Sequence, residues 1–107
     1  MKRRPHVFAH PSEEAFARFL DFYRIRWEYE PRTFPLEVDE DGTVREAFTP
    51  DFYLQDLDLY VELTTMKQSL ANRKNQKIRK MRERYPGIQV KLLYARDFSY
   101  LQRKYAG

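Results

Sequence analysis

The sequence predicts a single α/β domain, with the order helix, three strands, helix, strand, helix around a central mixed sheet. Three observations predict it. Apolar residues near the N-terminus recur at helical spacing, the middle of the chain alternates aromatic and branched residues with polar ones, and a long basic segment with a sparse apolar stripe precedes one more strand-like run. The chain has 107 residues, 42% apolar and 16% aromatic, which suits one core and one domain spanning 1–107.

The first helix is expected from Ser12, a capping residue after Pro11, to about Arg24, with Phe16, Phe19, Leu20 and Tyr23 on its apolar stripe. IRWEYEPRTFPLEV follows as an edge strand interrupted by two prolines, ending at the turn Asp39 to Gly42. AFTPDFYL reads as the second strand. Gln55 to Asp58, polar apart from Leu57, reads as a hairpin loop, and LDLYVELT as the third strand. Thr65 with Gln68 three residues on forms a capping box that opens a long helix, which Pro86 and Gly87 end. IQVKLLYAR supplies the fourth strand and FSYLQRKYA a closing helix.

Composition narrows the function. With no cysteine there is no disulfide, thiol nucleophile or cysteine zinc site, and a reducing cytoplasm is the expected location. The MKRRPH start turns polar without an apolar run, so neither a signal peptide nor a membrane span is expected. A net charge of +4 permits an anionic partner.

Two acids stand where strand residues are usually apolar. Centring the hairpin turn between Asp56 and Leu57 sets Asp51 opposite Glu62 and Tyr53 opposite Tyr60. Asp51, Tyr53, Tyr60, Glu62 and Thr64 then share one face, and Phe52, Leu54, Leu59, Val61 and Leu63 the other. Carboxylates directly opposite each other repel, and a divalent cation between them removes that penalty; magnesium or manganese suits such hard oxygen ligands. A simply solvated face explains the same spacing. Glu13 falls on or beside the inward stripe of the first helix, where a helix-dipole role competes with a part in the site.

The long helix carries the basic charge: seven Lys or Arg occur between Arg73 and Arg84, opposed only by Glu83. A stripe of Leu70, Ile78, Met81 and Tyr85 leaves Arg73, Lys77, Lys80 and Arg84 as one ridge able to track a phosphate backbone. Lys74 lies on the inward stripe itself, with Lys67 seven residues earlier on nearly the same azimuth. Each can snorkel, or direct its ammonium toward the acidic face.

An acid in the first helix, TPDFYL, a short hairpin and YVELT before a capped helix resemble the PD-(D/E)XK nuclease superfamily. Pro50 and Asp51 match its PD dipeptide, and Glu62 opens its acid-x-Lys element, but Thr64 occupies the lysine position. The resemblance runs from Glu13 to about Tyr94 and implies a restriction-endonuclease-like αβββαβ core. It also implies hydrolysis of DNA phosphodiesters with magnesium or manganese held by Asp51, Glu62, the Leu63 carbonyl and Glu13. The missing lysine would come from Lys67 or Lys74 on the next helix, with Gln68 a further polar candidate. Three readings stay open: an active nuclease, a nuclease-fold module that binds nucleic acid without cutting, and a partner-interaction domain. A homodimer or partner subunit is expected where both strands are cut.

Overall fold

Each strand prediction that contains an internal proline resolves into two strands. The computed structural model describes residues 8–64 and 68–94. The segment 25–38 divides into β1 (Trp27–Tyr29) and β2 (Phe34–Val38), and the segment 47–54 divides between β3 (Val44–Phe48) and β4 (Phe52–Leu54). Pro31 and Pro50 sit at the breaks, where a missing N–H interrupts a ladder at no further loss. A 3₁₀ turn, Gln55–Leu57, joins β4 to β5 (Leu59–Thr64), and β6 (Gln89–Tyr94) follows the long helix.

Two sheets result. The main sheet has the order β1-β4-β5-β6, antiparallel except for the parallel β5 and β6 pair, while β2 and β3 form a separate antiparallel ribbon. The mixed sheet is therefore as expected, but the strand through residues 34–38 leaves it. In the hairpin Phe52 pairs with Val61, Tyr53 with Tyr60 and Leu54 with Leu59, the register expected from the turn.

Helix α1 (Pro11–Phe22) is capped by His10 rather than Ser12: the imidazole Nδ1 accepts the Ser12 N–H, and Pro11 takes the first helical position. It ends in a Schellman arrangement, with Ile25 N–H donating to the Leu20 carbonyl and Arg24 N–H to that of Asp21, Arg24 being left-handed at φ 56°. Helix α2 spans Gln68–Arg84. Its buried residues are Ala71, Ile78 and Met81, whereas Leu70 is exposed, so the inward stripe runs one residue later at its start than apolarity alone indicates. The closing helix expected over residues 98–106, like Thr65 and Lys67, lies outside the described residues. Among the described residues no helix is long and apolar enough to cross a membrane.

The sheet separates two cores. On one side Phe16, Ala17 and Leu20 of α1 pack on Trp27, Phe52, Leu54, Val61 and Leu63. On the other, Ile78 and Met81 of α2 and Phe34, Leu36 and Phe48 of the ribbon enclose Tyr60 and Val90. Phe52 is wholly buried and meets Phe16, Trp27 and Tyr29 edge-on at ring-centroid distances of 5.2, 5.5 and 5.6 Å. Phe52→Ala is expected to cost about 3–5 kcal/mol in urea unfolding, since a cavity opens beneath three rings at once; a loss below about 1 kcal/mol would show that this ring cluster is not the centre of the α1-side core.

Candidate active site

The site forms where the β4 ladder ends. Past Phe52 the chain bends away at Pro50 and Asp51, and side chains take over the hydrogen bonds that a continuing strand would make. The Asp51 N–H donates to Glu62 Oε1 at 3.0 Å, and the Leu63 N–H donates to Asp51 Oδ2 at 2.8 Å. Each acid thus grips the other's strand, and the Asp51 carbonyl accepts the Glu30 N–H at 2.9 Å. These bonds lock the rotamers of two carboxylates that are only 7% and 6% exposed.

Lys74 completes the clasp from α2. Its Nζ lies 3.1 Å from Glu62 Oε2 and also donates to the Leu63 carbonyl. The inward azimuth read from the sequence brings this lysine to the acids, a distance of twelve positions from Glu62 along the chain. Thr64, where the resemblance would place a lysine, is buried on β5 and carries no charge.

Glu13 is buried in the first turn of α1, where its Oε1 accepts the Tyr29 hydroxyl at 2.6 Å and the Ala9 N–H at 3.1 Å. The Glu13 charge contributes to raising Asp51. Sequence reading assigned no role to Tyr29; its place two residues after the buried Trp27, on the same face of β1, is the signal that would have found it. Burial, then the bond to Glu13, pushes the Tyr29 hydroxyl above its ordinary range, so it remains a donor.

Among the described residues, Asp51 Oδ1 and Glu13 Oε2 accept no hydrogen bond. Burial pushes Asp51 up to about 8, with the charge of Glu62 adding to the rise. Glu62 is raised by burial as well, opposed mainly by Lys74. Among the described residues no group of three or more His, Cys, Asp or Glu side chains converges closely enough to cage a metal, so the core of the site is a carboxylate pair beside a lysine.

No family model, curated protein or solved structure matches the chain.

The remaining candidates separate. Gln68 is turned along α2 to Asn72, its Nε2 3.0 Å from Asn72 Oδ1. Arg73 and Arg84 are exposed and Lys77 half-buried, and none of the three makes an ion pair among the described residues. Lys80 leaves the ridge: its ammonium bonds Glu37 Oε1 at 2.8 Å and Glu46 Oε1 at 2.6 Å, which push it up to about 12. Glu37 and Glu46 are cross-strand partners in the ribbon, so the lysine offsets a like-charge pair there too. Neither glutamate was singled out from the sequence, because the ribbon's register was not.

The raised acids set a pH dependence. A carboxyl whose folded pKa exceeds its unfolded value contributes stability below the unfolded pKa and loses it as pH rises through the folded one. With chelator present, stability is therefore expected to fall between about pH 4 and 8, and Asp51→Asn to flatten that fall. Equal slopes for wild type and variant in denaturant titrations would contradict the burial of an ionising Asp51.

Proposed function

We propose that the Asp51, Glu62 and Lys74 cluster is the catalytic centre of a divalent-metal-dependent DNA endonuclease of the PD-(D/E)XK type. The observation that carries this reading is the Lys74 contact: a lysine from α2 delivers to the buried acids the positive charge that Thr64 cannot. The binding-only alternative draws its force from the absent lysine, and the Lys74 contact favours the catalytic reading over it. The succession α1, β1, β4, β5, α2, β6 is compatible with an αβββαβ core of the restriction-endonuclease kind, with the β2 and β3 ribbon inserted between the first two strands.

The donor set fits magnesium or manganese. Asp51, Glu62 and the Leu63 carbonyl are hard oxygen ligands, both carboxyls are buried, and Glu13 adds its charge beside them. When bound, the ion supplies positive charge to the scissile phosphate and acidifies a bound water. The protein's own part is to hold the two carboxylates rigid through backbone N–H groups, to exclude bulk water behind them, and to present the Lys74 ammonium where negative charge grows on the phosphate. Arg73, Lys77 and Arg84 remain to meet the DNA backbone. On this reading sequence selectivity is supplied by a homodimer, a partner subunit or the shape of the substrate.

Nicking of supercoiled DNA with magnesium or manganese tests the assignment. Asp51→Asn is expected to abolish cleavage while sparing DNA binding, and Lys74→Met to slow it by roughly 10²–10³-fold; equal cleavage by wild type and Asp51→Asn would assign the activity elsewhere. Reversing charge at Arg73 and Lys77 is expected to lower the salt slope of DNA binding by up to about 0.9 per lost phosphate contact. The same reversal at Lys80 should change it less, and an equal change would contradict its commitment to the ribbon.

A further inference from the structure

Lys74 occupies the acceptors that the proposed metal needs. Its ammonium donates to Glu62 Oε2 and to the Leu63 carbonyl, and both oxygens belong to the donor set described above. An ammonium and a divalent ion drawn to the same lone pairs repel. The side chain is 29% exposed, so its flexible stem has a route out of the cluster without disturbing Ala71 or Ile78 on the same helix.

We infer that Lys74 is a built-in counter-cation that seals the metal-free site and is displaced when a divalent ion binds, so that metal loading frees its ammonium for the substrate phosphate. The inference rests on the nuclease reading and adds an order of events to it. Without the metal, the lysine stays tied to Glu62 and the Leu63 carbonyl, and a bound phosphate meets a site whose cation is already committed. With the metal, Glu62 and Leu63 turn their lone pairs to the ion, and the freed ammonium lies within a side chain's length of the same centre. Lys80 provides an internal comparison. It bridges Glu37 and Glu46 in the same manner, but these acids belong to the ribbon and not to the proposed donor set, so nothing there displaces it.

Lysine-labelled full-length protein, titrated with magnesium chloride in the absence of DNA, separates these states by NMR. The Lys74 ammonium signal, assigned by its loss in Lys74→Arg, is expected to be protected from exchange in the metal-free protein and to take on solvent-exposed character at saturation, while the Lys80 signal stays unchanged. Thermal melts give a second measure: Lys74→Met should melt below wild type without metal and gain more degrees than wild type from saturating magnesium. If magnesium binds wild type while the Lys74 signal does not change, the displacement is wrong and the nuclease reading stands. If magnesium binds neither protein, the metal reading fails and the displacement fails with it.

Discussion

Two buried carboxyls lie side by side, Asp51 just beyond the end of β4 and Glu62 on β5, and the Lys74 ammonium faces them from α2. Asp51 and Glu62 are held by backbone N–H groups that fix their positions but do not cancel their charge. At an effective dielectric near 20, two unit charges about 4 Å apart interact by about 4 kcal/mol, comparable to burying one or two large aliphatic side chains. The Lys74 contact and the burial of Ala71, Ile78 and Met81 therefore act together to set how α2 lies on the sheet. Six residues on, Lys80 repeats the device by bridging Glu37 and Glu46 across the ribbon. One helix thus fastens both sheets at places where acids face each other.

Much of this was legible in the sequence, and what was not has identifiable causes. The hairpin register came from a short turn and a period of two, quantities that tertiary contacts rarely override, so the pairing of Phe52, Tyr53 and Leu54 was recoverable, and just beyond it Asp51 lies beside Glu62. The inward azimuth of Lys74 was recoverable for the same reason, with a period of 3.6. Strand membership was not, because alternation is identical in a strand of the main sheet and in a separate ribbon; only Pro31 and Pro50 mark the breaks, and proline is also tolerated on an edge strand. Ala71 was passed over for Leu70 because hydrophobicity scales reward size, whereas a helix close to a sheet selects a small residue at the contact. His10 displaced Ser12 as the cap because an imidazole nitrogen accepts an N–H as well as a hydroxyl does.

The end of β4 explains why a site arises there and not elsewhere along the hairpin. A strand that continued past Phe52 would satisfy the Leu63 N–H with a backbone carbonyl and leave no work for a side chain. The pairing stops at Phe52 instead: the Leu63 N–H takes a carboxylate oxygen of Asp51, and the Asp51 N–H takes one from Glu62. Anchoring by backbone donors is a rigid form of support, since the donors belong to strands packed against Phe16 and Leu20 on one face and Met81 on the other. The same break that ends the ladder thus leaves two carboxyl side chains held in fixed positions by backbone donors.

The charge balance distinguishes the two acid clusters. In the ribbon, Glu37, Glu46 and Lys80 sum to one negative charge at side-chain exposures of 54%, 28% and 42%, and water screens the remainder. Around Asp51 the same sum, with Glu62, Glu13 and Lys74, leaves two negative charges when all are ionised, and the three acids are each under a tenth exposed. Water does not dispose of that excess, which is why Asp51 is driven toward its protonated form. A proton on Asp51 answers one of the two charges and leaves the other within the cluster.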